Sequence, residues 1–234
     1  MSIETNLQEI HQAITNTALS CNRDPAGIKL LAVSKRHSKE SIELAIAAGQ
    51  TAFGENYMQE AQEKCTAFPD ADFHFIGHVQ SNKAKPAALF FSMVETVDRL
   101  KLAKALNKHL EVNESNLDIL IQVNIGEDPN KHGVAPDKTI SLLQEIHTLS
   151  RLRPRGLMTI PPFSTKSEET RSHFKALRLL ANSCAEKGLF YDNENVELSM
   201  GMSHDFRIAI EEGSTSIRVG TAIFGQRPNT GEER

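Results

Sequence analysis

Residues 28–49 read Ile-Lys-Leu-Leu-Ala-Val-Ser-Lys-Arg-His-Ser-Lys-Glu-Ser-Ile-Glu-Leu-Ala-Ile-Ala-Ala-Gly, a short β-type run closed by Lys35 and then a helical stretch. Ser38 stands where a helix N-cap belongs and Gly49 where a helix stops. The same strand-then-helix alternation recurs almost to the end of the chain. Candidate strands lie near 28–34, 51–55, 73–77, 91–95, 117–125, 154–159, 195–200 and 214–219. Helical sequence fills most of the intervals, for instance 38–49, 98–112, 136–150 and 164–188. Ahead of the first strand, residues 3–21 place Ile3, Leu7, Ile10 and Ile14 on one helical face.

Eight such units in 234 residues predict a single (β/α)8 barrel with an extra N-terminal helix, a fold whose usual length is about 250 residues. An open doubly wound sheet is the alternative, because periodicity alone does not show closure. The densest breaker cluster, Ile160-Pro-Pro-Phe-Ser-Thr, reads as a loop and not as a linker. The expected organisation is one domain over 1–227 and a polar tail over 228–234.

The net charge of −4 and the absence of a basic, aromatic-interleaved cluster give no electrostatic case for nucleic acid or an anionic membrane. No apolar run approaches a bilayer-spanning length. Cys21, Cys65 and Cys184 are scattered and odd in number, which argues for a reducing compartment, and the acidic N-terminus does not read as a signal peptide. The expected location is the cytoplasm.

Barrels bind ligands where strands end. Lys35, the Gly54-Glu-Asn-Tyr57 turn, the turn at 77–83, Asn124 and Met158 therefore fall at one mouth. So do Leu198-Ser-Met-Gly-Met-Ser203 and Ile217-Arg-Val-Gly-Thr-Ala-Ile-Phe-Gly225. In the last strand, Ile217 and Val219 share an apolar face, which turns Arg218 into the barrel, where a guanidinium needs an anionic or accepting partner. Gly220 and Thr221 then offer backbone N–H groups at the strand end, and Gly201 with Ser199 or Ser203 could serve an oxyanion as well. Ser203-His-Asp-Phe resembles a helix N-terminus, with Ser203 as its cap. A lysine held at a strand end can lose its proton and form a Schiff base. An amine beside a phosphate cradle suggests pyridoxal 5′-phosphate. The nine histidines show no ligand spacing, and no metal is expected. Gln122 and Asn124 alternate with Ile121 and Val123 and are expected to point inward.

At these residues the chain resembles the pyridoxal phosphate homeostasis protein family. The matching segments are Leu31-Ala-Val-Ser-Lys35, Phe53-Gly-Glu-Asn-Tyr-Met-Gln-Glu60, Phe73-His-Phe-Ile-Gly-His-Val-Gln-Ser-Asn-Lys83, Gln122-Val-Asn, Gly156-Leu-Met158 and the two strand ends above. They span nearly the whole chain; Val79, where a leucine is more usual, is a small departure. The resemblance implies a barrel like the N-terminal domain of alanine racemases, with Lys35 forming the Schiff base and Arg218 facing the pyridine nitrogen. It implies that Ser203 (or Ser199), Gly220 and Thr221 hold the phosphate, and that Asn56 and Met200 lie near the ring. It also implies a carrier of the cofactor acting in vitamin B6 and amino-acid balance, with transient contact to apo-enzymes. Arginine is always protonated, so a ring nitrogen facing Arg218 stays neutral and is a weak electron sink. The racemases' second base comes from a further β domain, and here the chain ends soon after the eighth strand. A monomeric carrier without catalytic residues is therefore expected. The alternatives are a weak racemase or lyase using the same lysine, and an interaction scaffold with a vestigial barrel.

Overall fold

Closure of the barrel rests on one pairing. Strand β1 (Lys29–Val33) lies parallel to β8 (Ser216–Val219), with Leu31 opposite Arg218 and Ala32 opposite Val219. The computed structural model describes residues 2–162 and 164–226, so the expected tail at 228–234 lies outside the described residues. Between these two strands run β2 (Ala52–Glu55), β3 (Asp72–Phe75), β4 (Met93–Val97), β5 (Leu117–Gln122), β6 (Leu152–Met158) and β7 (Glu197–Met202). All are parallel and neighbour one another in sequence order, which makes a closed eight-stranded barrel and excludes the open sheet.

Helices α1 (Ile3–Ser20), α2 (Lys39–Ala47), α3 (Met58–Ala67), α4 (Ala84–Phe90), α5 (Leu100–Val112), α6 (Thr139–Ile146), α7 (Ser167–Glu186), α8 (Phe206–Glu211) and α9 (Thr221–Phe224) surround the sheet. Ser38 caps α2 by accepting from Ser41 N, and Gly49 and Gly188 follow α2 and α7 at φ +90° and +68°, as their sequence positions predict. Strand β4 begins two residues later than the pattern suggests, because Phe91 closes α4 and packs on the Phe75 ring, centroids 5.0 Å apart. Helix α1 buries Leu7, Ile10 and Ile14 and is tied to the far end of the chain by Asn6 Nδ2 donating to Ile223 O. No described helix is long and apolar enough to cross a membrane.

The main core lies between barrel and helices, where outward residues such as Ala32, Phe53, Ile119, Ile217 and Val219 meet the apolar helix faces. Burying each of the larger ones, such as Phe53, Ile119, Ile217 or Val219, contributes about 1.5–3 kcal/mol. Inside the barrel two small apolar clusters stand apart, Leu31-Ala52-Ile76 and Met93-Leu120-Met158. His74, Glu95, Ser199, Ser216 and Arg218 are buried as well. A barrel interior is usually filled by bulky branched residues; this one carries ionised groups.

Candidate functional site

Residues at or just past the C-terminal ends of six strands line one cavity of about 230 Å³. They include Val33, Lys35, Asn56, Ile76, Ile160, Met202, Ser203, Arg218, Gly220 and Thr221. Six of the residues singled out in the sequence meet there: Lys35, Asn56, Ser203, Arg218, Gly220 and Thr221.

Lys35 is half-buried, and both peptide groups beside it are pinned. Ser34 N donates to Gly54 O, and Ser34 Oγ donates to Glu55 Oε1 at 2.6 Å. Lys64, 2% exposed on α3, donates to Ser34 O (2.7 Å), Glu55 Oε1 (2.7 Å) and Glu60 Oε1 (2.6 Å). Glu60 Oε1 also accepts from Arg36 N at 2.6 Å. Burial pushes the Glu55 carboxyl up, and Lys64 works against that shift. Thus an ion cluster beneath the sheet fixes the backbone on either side of Lys35.

Asn56 follows β2, and its Oδ1 is buried without a hydrogen-bond partner among the described residues. Such an acceptor is costly to leave unmade, so it fits a ligand that donates there. Its backbone is crossed closely by Gly77; a Cβ at that glycine would strike Asn56 O and approach its Cα to 2.8 Å.

Arg218 points into the barrel, as the alternation predicts. Its Nη1 donates to Ser199 Oγ at 2.5 Å and its Nη2 to Thr159 O at 2.7 Å. Burial lowers the guanidinium's pKa, opposed by the charges of Glu95 and Asp205. At Gly220 a Cβ would come within 3.1 Å of Val33 O. Thr221 begins α9, and the first amides of a helix have no intrahelical acceptor. The hydroxyl, amide and guanidinium donors at this end of the cavity suit a phosphate and a ring acceptor.

Three expectations along β7 need correction. Ser199 does not line the cavity: it is fully buried and occupied by Glu95 and Arg218, so its hydroxyl is not available to a phosphate. Met200 faces the opposite way, in the core beneath the helices, and Met202 lies at the cavity instead. Ser203 is not a helix cap; Asp205 holds that position and accepts from Met202 N at 2.6 Å. The cause is Gly201, whose φ of +96° bends the strand so that both Met202 and Ser203 reach the mouth. A Cβ on Gly201 would sit 2.6 Å from Ala209 Cβ, so α8 packs directly against the bare backbone there.

The other mouth residues play smaller parts. Tyr57 is 43% exposed with Arg36 over its ring. Gln122 donates to His132 O and Asn124 to Asp128 O, holding the loop after β5. His37 stacks on Phe224, ring centroids 4.9 Å apart. Burial pushes the Cys65 and Cys184 thiols up to about 12 and about 11, which leaves them unreactive near neutrality.

Linear spacing gives no sign that His78, Asp98 and His132 converge, yet one donor atom of each lies within 4.8 Å of the others. The two imidazoles are stacked, centroids 3.8 Å and planes 16° apart, so their in-plane lone pairs run side by side and do not meet at one point. Asp98 is engaged by Arg99 at 2.5 Å. The three are not arranged as a metal centre.

Comparison with known proteins places this geometry. The family model for the alanine racemase N-terminal domain matches residues 4–228. A pyridoxal phosphate homeostasis protein of Haemophilus influenzae is 41% identical over 232 residues, 97% of each chain. The structure of PipY from Synechococcus elongatus with PLP bound superposes with a TM-score of 0.83 at 33% identity, covering 96% of this chain and 100% of that one. Alanine racemase of Corynebacterium glutamicum shares the fold, with a TM-score of 0.74 at 18% identity over 99% of this chain and 62% of that one.

Proposed function

The chain belongs to the pyridoxal phosphate homeostasis protein family, built on the alanine racemase N-terminal domain, and from that premise we propose that it binds pyridoxal 5′-phosphate, holds it on Lys35 as a Schiff base and serves vitamin B6 homeostasis. The observation that carries this reading is the convergence of Lys35, Asn56, Ser203, Arg218, Gly220 and Thr221 on one cavity. Lys35 supplies the amine, its backbone fixed from both sides. Ser203 and the amides of Gly220 and Thr221 hold the phosphate, Arg218 donates to the ring nitrogen, and Asn56 Oδ1 accepts from the ligand. When bound, the cofactor supplies an electrophilic carbon and an electron sink of adjustable strength.

Arg218 keeps that sink weak, because a guanidinium donates and does not accept a proton. We therefore assign the protein a carrier's role, monomeric and cytoplasmic, passing the cofactor to apo-enzymes and so touching amino-acid metabolism indirectly. The racemase fold keeps a second reading alive, a slow racemase or lyase. Borohydride reduction followed by peptide mass spectrometry tests the first claim: a pyridoxyl adduct on Lys35 is expected, and an adduct elsewhere or none overturns it. Chiral chromatography after incubation with L-alanine or L-serine tests the second; turnover that disappears in Lys35→Ala would replace the carrier with an enzyme.

A further inference from the structure

A chain of hydrogen bonds runs through the barrel from its N-terminal rim to the cavity. Asp72 Oδ2 lies 3.2 Å from His74 Nε2, and His74 Nδ1 lies 2.7 Å from Glu95 Oε1. The other oxygen of Glu95 accepts from Ser199 Oγ at 2.5 Å, and Ser199 Oγ accepts from Arg218 Nη1 at 2.5 Å. His74, Glu95, Ser199 and Arg218 are all buried. Asp72, half-buried, is the only member of the chain in contact with Lys29 at the rim, 3.8 Å away.

At Ser199 the direction of the bonds is forced, because a guanidinium only donates. Ser199 has a single hydroxyl proton, given to Glu95, so only its lone pairs remain for Arg218. Glu95 Oε2 accepts from Ser199, and as a carboxylate Glu95 accepts from His74 Nδ1 on Oε1 as well. Burial alone would raise its pKa, but the hydrogen bonds and charge of His74, with the charge of Arg218 and the Ser199 bond, carry it below the usual carboxylate range. Burial likewise opposes the His74 cation, and the bonds to Asp72 and Glu95 outweigh it. Charges thus alternate along the chain: Asp72 negative, His74 positive, Glu95 negative, Arg218 positive. Asp205, in the turn before α8, adds a second negative charge near Arg218.

We propose that Ser199, Glu95 and His74 are positioning residues for Arg218: they hold one edge of the guanidinium so that its other edge faces the cavity, and through it they set the protonation of the ligand's ring nitrogen. This rests on the reading of Arg218 as the partner of that nitrogen. Ser199 acts as a spacer. Without its hydroxyl, Glu95 and Arg218 face each other across a gap, and their attraction in a low-dielectric interior draws the guanidinium away from the cavity. Without the Glu95 charge, two cations share the interior and Arg218 loses its counter-charge.

The test is the ¹⁵N resonance of ring-labelled pyridoxal 5′-phosphate bound to wild type, Ser199→Ala, Glu95→Gln and Arg218→Ala, recorded in mildly acidic buffer. Wild type should give the signal of an unprotonated, arginine-bonded nitrogen, and Arg218→Ala should move it toward pyridinium. Ser199→Ala and Glu95→Gln should move it in the same direction, with faster release of the ligand. Loss of packing alone would not produce that shift. Wild-type signals in both variants overturn the proposal and leave cofactor binding intact. No ligand uptake by wild type overturns the cofactor reading; an unshifted signal in Arg218→Ala leaves binding intact but removes Arg218 as partner of the ring nitrogen, and either result overturns this proposal. Should Glu95→Gln fail to fold, Ser199→Ala, which removes one oxygen, decides the matter.

Discussion

Lys64 Nζ lies 2.7 Å from Glu55 Oε1 in a space closed to solvent, and the same ammonium donates to the carbonyl of Ser34, next to Lys35. One buried cation therefore neutralises an acid and fixes the backbone of the proposed Schiff-base lysine.

Replacing that cation exposes both roles. Lys64→Met leaves Glu55 buried with only the Ser34 hydroxyl as partner, one oxygen being already unpartnered. Breaking a buried pair from one side costs about 3–5 kcal/mol. Urea unfolding should show a loss of that order, partly restored in the Lys64→Met/Glu55→Leu double variant. A loss below about 1 kcal/mol would place the cluster in the class of weak, exposed pairs.

His74 makes stability depend on alkaline pH. Its pKa in the folded state is raised to about 9 from an ordinary 6.5, despite burial, by the hydrogen bonds and charges of Asp72 and Glu95. A raised pKa means that the folded state holds the proton more tightly, so the stabilisation is complete below pH 6.5 and is lost as pH rises through about 9. Thermal unfolding between those limits should fall by about 1.4 kcal/mol per pH unit. In His74→Gln this slope should flatten; an unchanged slope would assign it to another group.

Asn56→Ala should separate binding from folding. Removing an unpartnered buried acceptor leaves the ligand-free protein as stable or slightly more so. Cofactor affinity, followed by absorbance titration, should drop roughly five- to tenfold, the worth of one hydrogen bond. Unchanged affinity would remove Asn56 from the site.

Gly77→Ala tests the wall behind Asn56. The new methyl meets backbone atoms, which cannot swing aside as a side-chain tip would. A stability loss of about 1–3 kcal/mol is expected, together with weakened cofactor uptake, both measurable on one purified variant. Normal uptake at reduced stability would show that the turn relaxes without disturbing the cavity.

The alternation that made strands of residues 28–34 and 214–219 also told which way Arg218 would face, since Ile217 and Val219 had to meet the helices. The same rule, applied to β7, separates Met200 from Ser199 and turns Met200 into the core beneath the helices. It could not foresee the bend at Gly201, where a left-handed residue ends the alternation and brings Met202 and Ser203 to the mouth together.

Strand number, the inward and outward faces and the grouping of Lys35 with the last two strand ends were thus written in local chemistry, because period and capping act over a few residues. The partners of the buried charges were not. Ser199 meets Glu95 across 104 positions of sequence, and Lys64 reaches Ser34 across 30. Such meetings follow from the register at which the eight strands close and from which helix lies over which strand, and those are properties of the whole barrel that no single segment carries.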